Sequence, residues 1–460
     1  MNTNSTYSLS LQRQFKNKGL DSDINQALSE LKFGSMLRRS NIMKQKGYGT
    51  QALMFFILLL PFIKRTLCSF WTVEWISKQT EAQKDTWYRF LNNERFNWRK
   101  FVTLFSLRVI GNSDDVPLKD KVLIADDSIG LKTGKEMELV SYHFDHKSGK
   151  SVLGNQYLQL GFHNGVNFFP LDMAMIASKK RPNKNMKSMD KRTNGWKRRQ
   201  EALSKKTDVL VTMAQRAWNA GIDASFLLFD SWFAHDDVIS RIYECGYGVI
   251  CRLKRGRVKY EYKGEKYTLK QLWQKFAKKQ TKFIGNFQVK AVCLNARLPK
   301  TGDIRLLFVS DGKKEWQALL STDLELNASE ILTYYARRWA VEVFFKDAKQ
   351  MLYMGKEQSK TFDAAIACYS IVMIRYLLLV YILNKRRLTG SIGSIFRDVT
   401  DDQQSLLFAE KIWSYVKEQL LKSMKLISYK IEIDVLMHLF DIIDDILTNK
   451  MKLLSAKLWF

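Results

Sequence analysis

The chain has 460 residues, of which 46% are hydrophobic and 26% charged, a composition typical of a folded globular protein with roughly two to four domains. Lysine and arginine number 74 against 46 aspartates and glutamates, which gives a formal net charge of +28. This excess is too large for an ordinary metabolic enzyme. It indicates a polyanionic partner, either nucleic acid or an anionic membrane surface.

The sequence argues against a secreted or membrane-bound protein. Its five cysteines are scattered and form no CxxC pair, so neither a disulfide framework nor a zinc finger is expected. We expect no signal peptide, because the first residues lack a cationic segment followed by an apolar one. The apolar stretch 52–63 is short for a membrane span, and 362–383 contains Asp363 and Arg375. Both are predicted to be buried core helices, and the positive charge is attributed to nucleic-acid binding.

The order of the predicted elements indicates an α/β protein. In chain order they are helices over 1–115, a strand at KVLIADD, a strand meander, a basic segment over 179–206 with twelve Lys or Arg, a helix at 209–220, a strand at SFLLFD, a helix at 235–243, a strand at YGVICRLK, a strand-rich charged region at 258–323, a helix at 328–352 and helices over 361–460. This order predicts a mixed sheet with helices on its faces.

Acidic residues end two of the predicted buried strands. Asp126 and Asp127 end KVLIADD, and Asp230 ends SFLLFD. Carboxylates at such positions point into the crevice where open α/β sheets place their sites. For either strand alone, an aspartate that caps a turn or a helix is the alternative interpretation.

The predicted helix at 328–352 carries four polar residues on one face. Tyr335, Arg338, Glu342 and Lys349 fall within about 60° of one another on a helical wheel. A solvated face with an Arg338–Glu342 salt bridge is the alternative. Because much of the remaining helix surface is apolar, we favour a polar stripe that lines a site.

The spacing of these four residues, Y-x2-R-x3-E-x6-K, resembles the YREK signature of bacterial cut-and-paste insertion-sequence transposases, a group of DDE transposases. LIADDS resembles the first acidic strand of that family, and FLLFDSWF resembles the second. The meander, the basic segment and the β-rich insert follow the same order, so the resemblance covers residues 80–360. It implies a mixed α/β fold, with an RNase H-like catalytic core, a β-rich insertion and flanking helical regions.

The resemblance also implies a two-metal site for phosphodiester cleavage. In the family, an Asp, Asp, Glu triad binds two divalent ions, normally Mg²⁺ with Mn²⁺ as the alternative, and carboxylates are ligands that Mg²⁺ prefers. Carried over, the catalytic metal ligands are Asp127, Asp230 and Glu342, with Asp126 as the alternative to Asp127.

Further DNA contacts are expected in three regions. They are Tyr335, Arg338 and Lys349 of the signature, Lys197, Arg198 and Arg199 of the basic segment, and Trp316 of the insert. In related transposases that form hairpin ends, an aromatic residue at the position of Trp316 stacks on a flipped base. A tryptophan packed in the core of the insert is the alternative.

Together these features predict a DNA transposase that binds the inverted-repeat ends of an insertion sequence, cleaves the strands and joins the ends to target DNA. The predicted domains are a helical DNA-binding region (1–115), a DDE catalytic domain (116–360, with the insertion at about 255–325) and a helical region (361–460) for dimerisation in a synaptic complex. The expected location is the bacterial cytoplasm, at the nucleoid. Two alternatives stay open: a catalytically inactive, transposase-derived DNA-binding protein, and an RNase H-like structure-specific nuclease.

Overall fold

The computed structural model describes residues 23–44, 46–70, 83–113, 116–145, 148–312, 315–386, 390–401 and 403–404. The chain divides into two compact units. One is continuous, Asn92–Leu377, and the other combines Met1–Leu91 with Leu378–Phe460. The functional boundaries near residues 115 and 360 stay predictions. Most of the expected dimerisation region lies outside the described residues.

The discontinuous unit is helical where it is described. Its first helices are α1 (Asp23–Glu30), α2 (Phe33–Arg39), α3 (Thr50–Leu59), α4 (Leu67–Phe70) and α5 (Lys84–Leu91). Lys32 has a left-handed φ of 57° and separates α1 from α2. On α5, Trp87 and Phe90 are buried and form a packed helix face, whereas Tyr88 is exposed.

The continuous unit contains the predicted mixed α/β arrangement. Its helices are α6 (Trp98–Ile110), α7 (Asn194–Leu203), α8 (Lys206–Asn219), α9 (Asp236–Glu244), α10 (Leu269–Leu272), α11 (Ala328–Ala336) and α12 (Trp339–Gln350), followed by α13 (Phe362–Lys385), which continues past the unit boundary. Its strands are β1 (Val122–Leu131), β2 (Ser141–Asp145), β3 (Lys150–His163), β4 (Phe168–Ile176), β5 (Phe226–Phe229), β6 (Gly248–Leu253), β7 (Lys259–Tyr262), β8 (Glu265–Thr268), β9 (Lys282–Ile284), β10 (Val289–Leu298), β11 (Gly302–Ser310) and β12 (Trp316–Ser321).

One mixed sheet joins these strands. In its core, β4, β3 and β1 are antiparallel neighbours, and β1 continues into β5 and β6 by parallel pairing. This order, β4-β3-β1-β5-β6, is the RNase H-like core that the resemblance implied. At the β6 edge, β12 pairs antiparallel with β6, and β11, β10, β7 and β8 extend the sheet. The predicted β-rich insertion is therefore a continuation of the core sheet.

Helix α13 is a core helix of the protein. Within the described chain it is the helix whose length and apolar composition would suffice to cross a membrane, but 89% of its most apolar window is buried inside the fold. Tyr369 stacks on Tyr157 of β3 with ring centroids 4.3 Å apart. Tyr376 meets Phe344 of α12 edge to face at 4.9 Å. These contacts account for the apolar composition of α13 by packing within the continuous unit.

A buried arginine connects three distant segments of the continuous unit. The Arg199 side chain on α7 is fully buried. Its guanidinium donates to Glu138, in the loop after β1, and to Asp363, in the first turn of α13. Phe362 lies against the guanidinium at 4.8 Å. Because two carboxylates and one guanidinium are desolvated together, each depends on the others for compensation.

Replacing Arg199 with methionine should lower the free energy of unfolding by about 3–5 kcal/mol, since the two carboxylates then lose their buried partner. Chemical denaturation of the full chain measures this change. Arg192→Met is the matched control, because Arg192 pairs with Asp190 at the surface and its side chain is 90% exposed. The control should unfold at the wild-type midpoint. Equal destabilisation by both substitutions would contradict the structural role of Arg199.

Asp172 on β4 is the centre of a second charged network. Its carboxylate accepts hydrogen bonds from Arg99 of α6 at 2.9 Å and from Arg216 of α8 at 2.7 Å. Glu201 of α7 pairs with both arginines. Burial raises the pKa of Asp172, but the surrounding arginines outweigh burial and lower it to about 2. The network holds three helices against the sheet.

This network predicts a loss of stability in acid. Because the folded-state pKa of Asp172 lies below its ordinary value of 3.8, the ionised carboxylate stabilises the fold above that value. The contribution disappears as the pH falls towards about 2. Asp172→Asn should therefore be less stable than the wild type at neutral pH, and the difference should shrink between pH of about 5 and about 2. Urea denaturation measures both proteins across this range. A stability difference between wild type and Asp172→Asn that stayed constant with pH would contradict the stabilising role of the ionised Asp172.

Candidate active site

Parallel pairing of β1 with β5 brings two acidic residues to the same level. Ile124 lies opposite Leu228 in this pairing. Two residues further along come Asp126 on β1 and Asp230 directly after β5. Because alternate residues of a strand share a face, the two carboxyl groups are placed on the same side of the sheet. The charge of Asp230 is close enough to contribute to a raised pKa of Asp126.

Asp126 and Asp127 face opposite sides of the sheet and have different partners. Asp126 accepts a hydrogen bond from Arg338, between α11 and α12, at 2.8 Å. Asp127 pairs with Lys206, the first residue of α8, at 2.7 Å. Arg338 also donates to Glu342 on α12. Glu342 therefore lies on the same side of the sheet as Asp126. The structure therefore places the alternative, Asp126, on the face of Arg338 and Glu342, and the expected ligand, Asp127, on the other face. The choice between the two as metal ligand stays a prediction, and the geometry favours Asp126.

The four signature residues are divided between two helices and the junction that joins them: Tyr335 is on α11, Arg338 is at the junction, and Glu342 and Lys349 are on α12. The sequence suggested one helix over 328–352, but α11 ends at Ala336 and α12 begins at Trp339. At the junction, the backbone N–H groups of Arg337 and Arg338 bond the carbonyls three residues earlier, as in a 3₁₀ turn. The Arg337 guanidinium pairs with Asp120 at 2.9 Å and contacts the segment before β1. The ion pair of Arg337 with Asp120 fixes the junction, and the side chain of the next residue, Arg338, extends to Asp126.

Arg338 bridges two of the acids. Its guanidinium donates to Asp126 and also to Glu342, one turn further along α12. The ring of Tyr335 lies 5.8 Å from the guanidinium carbon. Burial raises the pKa of Tyr335 to about 12 despite the nearby positive charge of Arg338. Lys349 is half-buried in the last turn of α12.

The donor set fits a divalent cation. Among the described residues, no three acidic or other metal-binding side chains are close enough to hold a metal ion as they stand. The positively charged guanidinium of Arg338 bridges Asp126 and Glu342. The charge of Asp230 acts on the carboxyl group of Asp126. Burial raises the pKa of Asp126 to about 7, opposed by Arg338 and reinforced by the charges of Asp127 and Asp230. Such crowded, partly buried carboxylates are stabilised by a hard cation, which accepts oxygen ligands.

Lys206 is a structural residue of the site that the sequence analysis missed. Besides pairing with Asp127, its ammonium lies 3.6 Å from the ring centre of Trp232. The backbone N–H of Trp232 in turn donates to Asp230 at 2.8 Å. One lysine thus contacts the strand that carries Asp126 and the loop that begins with Asp230. Its place in a basic run gave no signal of burial.

The basic segment 179–206 does not present the arginines that were expected to bind DNA. Lys197 is exposed. Arg198 is buried and donates to the Met173 carbonyl at 2.7 Å. Arg199 is buried in the ion-pair network with Glu138 and Asp363. Both arginines have structural partners, so the prediction that they contact phosphates needs correction.

Trp316, expected to receive a flipped base, is packed in the insertion. It is 8% exposed. Its ring stacks on Trp273 with centroids 5.3 Å apart and planes 14° from parallel. The Arg255 guanidinium lies 4.5 Å from its ring centre. As arranged, neighbouring groups cover the ring, which corresponds to the alternative of a core tryptophan.

Comparisons with protein-family models give two matches that include the residues of this site. Residues 59–268 match a family model described as DDE superfamily endonuclease, and residues 202–378 match one described as transposase DDE domain. The first match contains Asp126 and Asp230, and the second contains Asp230 and Glu342. Each match covers less than half of the chain. The two matches show similarity to DDE endonuclease and transposase domains and indicate a nuclease or transposase type of enzyme.

Among solved structures, the chain is similar to piggyBac transposase in a synaptic complex with hairpin DNA. The two are 10% identical with a TM-score of 0.45, and the likeness covers 84% of this chain and 77% of the other. At this identity and TM-score the likeness supports no conclusion about function. A search of curated proteins gave no match.

Trp316→Ala should lower the free energy of unfolding by about 3–5 kcal/mol, because it removes a large ring from a packed cluster. Thermal and urea denaturation measure the loss. Trp339→Ala is the control, since Trp339 is 63% exposed and should unfold close to the wild-type midpoint. A Trp316→Ala protein of wild-type stability would instead favour the base-stacking hypothesis.

Proposed function

We propose that the protein is a cut-and-paste DDE transposase of a bacterial insertion sequence, which cleaves DNA at the inverted-repeat ends of its element and joins them to target DNA. The observation that carries the proposal is that the Arg338 guanidinium bridges Asp126 and Glu342, while Asp230, directly after the neighbouring strand, lies level with Asp126. All three acids fall within residues that match the DDE models. The Y-x2-R-x3-E-x6-K spacing supports membership of the YREK group.

Asp126, Asp230 and Glu342 would hold two divalent ions, Mg²⁺ or Mn²⁺, in this reaction. Such ions, when bound, activate the attacking oxygen and stabilise the leaving one during in-line displacement. Once released from Asp126 and Glu342, the fork of Arg338 would fit a DNA phosphate next to the acids. Lys349 would supply a point charge further along α12. Tyr335, whose raised pKa keeps its hydroxyl protonated, can donate a hydrogen bond to a phosphate oxygen.

The proposed partners follow from the reaction. The net charge of +28 suits binding to both element ends and target DNA. Two ends must be held together for transposition, so a homodimer is proposed for the synaptic complex. The proposed location is the bacterial cytoplasm, in contact with the nucleoid.

A structure-specific nuclease is the second candidate function. It is favoured by the match to a superfamily described as endonucleases. Joining of a cleaved end to a second DNA molecule separates the two candidates, because a nuclease would release cleaved ends without transferring them. DNA binding without any metal-dependent cleavage would favour the inactive DNA-binding protein.

Substitution of the proposed ligands should abolish cleavage. With purified full-length protein, Mg²⁺ and a plasmid that carries the element ends, Asp126→Asn, Asp230→Asn and Glu342→Gln should each reduce the cleavage rate by more than about 100-fold. Even the loss of a partner outside the ligand set costs about 10- to 100-fold, so loss of a ligand should cost more. Cleavage is measured by the appearance of nicked and linear DNA.

The matched control is the neighbouring aspartate. Asp127→Asn alone would leave the buried Lys206 ammonium without its carboxylate, so it is combined with Lys206→Met. The double variant should retain cleavage within about tenfold of wild type, provided that its melting temperature shows a folded protein. Full activity of Asp126→Asn, together with inactivity of a folded double variant, would return the ligand role to Asp127.

A further inference from the structure

The β-rich insertion carries dense, exposed positive charge beyond the residues of the candidate active site. Residues 252–290 contain thirteen Lys or Arg and two acidic residues, Glu261 and Glu265. All thirteen cations are exposed. Within the described residues, Arg255 is the member of this set that forms an ion pair, with Glu315. This charge is therefore presented to solvent with little compensation from the segment itself.

The exposed positive charge begins next to Asp230, at the edge of the acidic site formed by Asp126, Asp230 and Glu342. In the parallel pairing of β5 with β6, Phe229 lies opposite Cys251. The next residue on each strand is Asp230 on one side and Arg252 on the other, so these two lie at the same level. The chain then continues through Lys254, Arg255 and Arg257 to β7. A cationic path thus leads from the proposed metal ligands on to the insertion.

A helical stretch of the insertion extends this path. After β8, residues 269–280 form α10, a π-helical turn and a 3₁₀ turn without a break. One face is apolar and buried, with Leu269, Leu272 and Ala277. The other face carries four exposed lysines, namely Lys270, Lys275, Lys278 and Lys279. The apolar face fixes the helix on the sheet, while the lysine side chains project into solvent.

The segment 179–206 contrasts with the insertion. It has twelve Lys or Arg, but several of them have acidic partners or are buried. Lys187 pairs with Glu94, and Lys206 pairs with Asp127. Arg198 and Arg199 are buried. The two segments contain nearly equal numbers of Lys and Arg. More of the positive charge is available to a ligand in residues 252–290 than in residues 179–206.

We propose that the exposed cations of residues 252–290 form a binding surface for the phosphate backbone of duplex DNA, which runs from the edge of the acidic site across the insertion. This inference rests on the proposed function, because it takes DNA as the partner of the acids. Contacts to phosphates from such a surface are insensitive to base sequence. They should position the duplex for cleavage and contribute a large part of the salt dependence of binding.

The test compares two quadruple variants of the full-length protein. The insertion variant replaces Lys270, Lys275, Lys278 and Lys279 with glutamine, which preserves helix propensity. The control variant replaces four exposed lysines of the other basic segment, Lys179, Lys180, Lys184 and Lys191, with glutamine. Both lose four charges. Binding to a fluorescent duplex of arbitrary sequence is measured without metal at several salt concentrations, with melting temperatures as a check of folding.

The insertion variant should bind more weakly, with a log–log salt slope reduced by about 1 for each lysine that contacts a phosphate. The control variant should keep a slope close to that of wild type. The proposal is overturned if the control variant loses as much slope as the insertion variant, or if neither loses any. It is also overturned if the wild type binds anionic phosphatidylserine vesicles but not duplex.

Cleavage is scored separately from binding. Wild-type protein that binds DNA through the insertion but shows no metal-dependent cleavage would contradict the proposed function and leave the binding surface intact. An insertion variant that binds with the wild-type slope while the wild type cleaves DNA would overturn the surface and leave the proposed function intact. Arg252→Gln combined with Lys254→Gln should lower the slope by about 2 if the path reaches the site.

Discussion

Parallel pairing of β1 with β5 holds Asp126 and Asp230 at one level, and the alternation of side chains along β1 sends Asp126 and Asp127 to opposite faces. Each face then meets a different element. On one side Arg338, at the junction of α11 and α12, meets Asp126. On the other side Lys206, at the start of α8, meets Asp127. The strand therefore combines a face that carries the proposed metal ligand Asp126 with a face that is anchored through Asp127.

Positive charge has two uses in this chain, and burial separates them. Arg199 and Lys206 are desolvated and paired, where they connect segments that are distant in sequence. The cations of residues 252–290 remain in solvent. A buried pair contributes to the arrangement of the fold, while its charge is largely cancelled for any external ligand. A net charge therefore indicates a polyanionic partner but does not show which residues contact it.

The arrangement of strands and helices was largely predictable from the sequence, whereas side-chain orientation was not. The apolar runs KVLIADD and SFLLFD marked β1 and β5, and their terminal acids marked the site. The choice between Asp126 and Asp127 depends on which helix packs on which face, and no local pattern encodes that packing. Similarly, no Gly or Pro marks the junction between α11 and α12. It is associated with the pairing of Arg337 with Asp120, 217 residues earlier.

The buried network of Arg199 has a consequence for the order in which the polypeptide folds during synthesis. Arg199 and Glu138 leave the ribosome long before Asp363, so the desolvated network cannot be completed until the start of α13 has been made. The discontinuous unit waits longer, because its second part begins at Leu378. The continuous unit, Asn92–Leu377, is complete in sequence first. With domains folding as units at synthesis rates of about 5–20 residues per second, the continuous unit has the earlier opportunity to fold. The helices that precede it in the chain can complete their own unit only after the C-terminal part has been made.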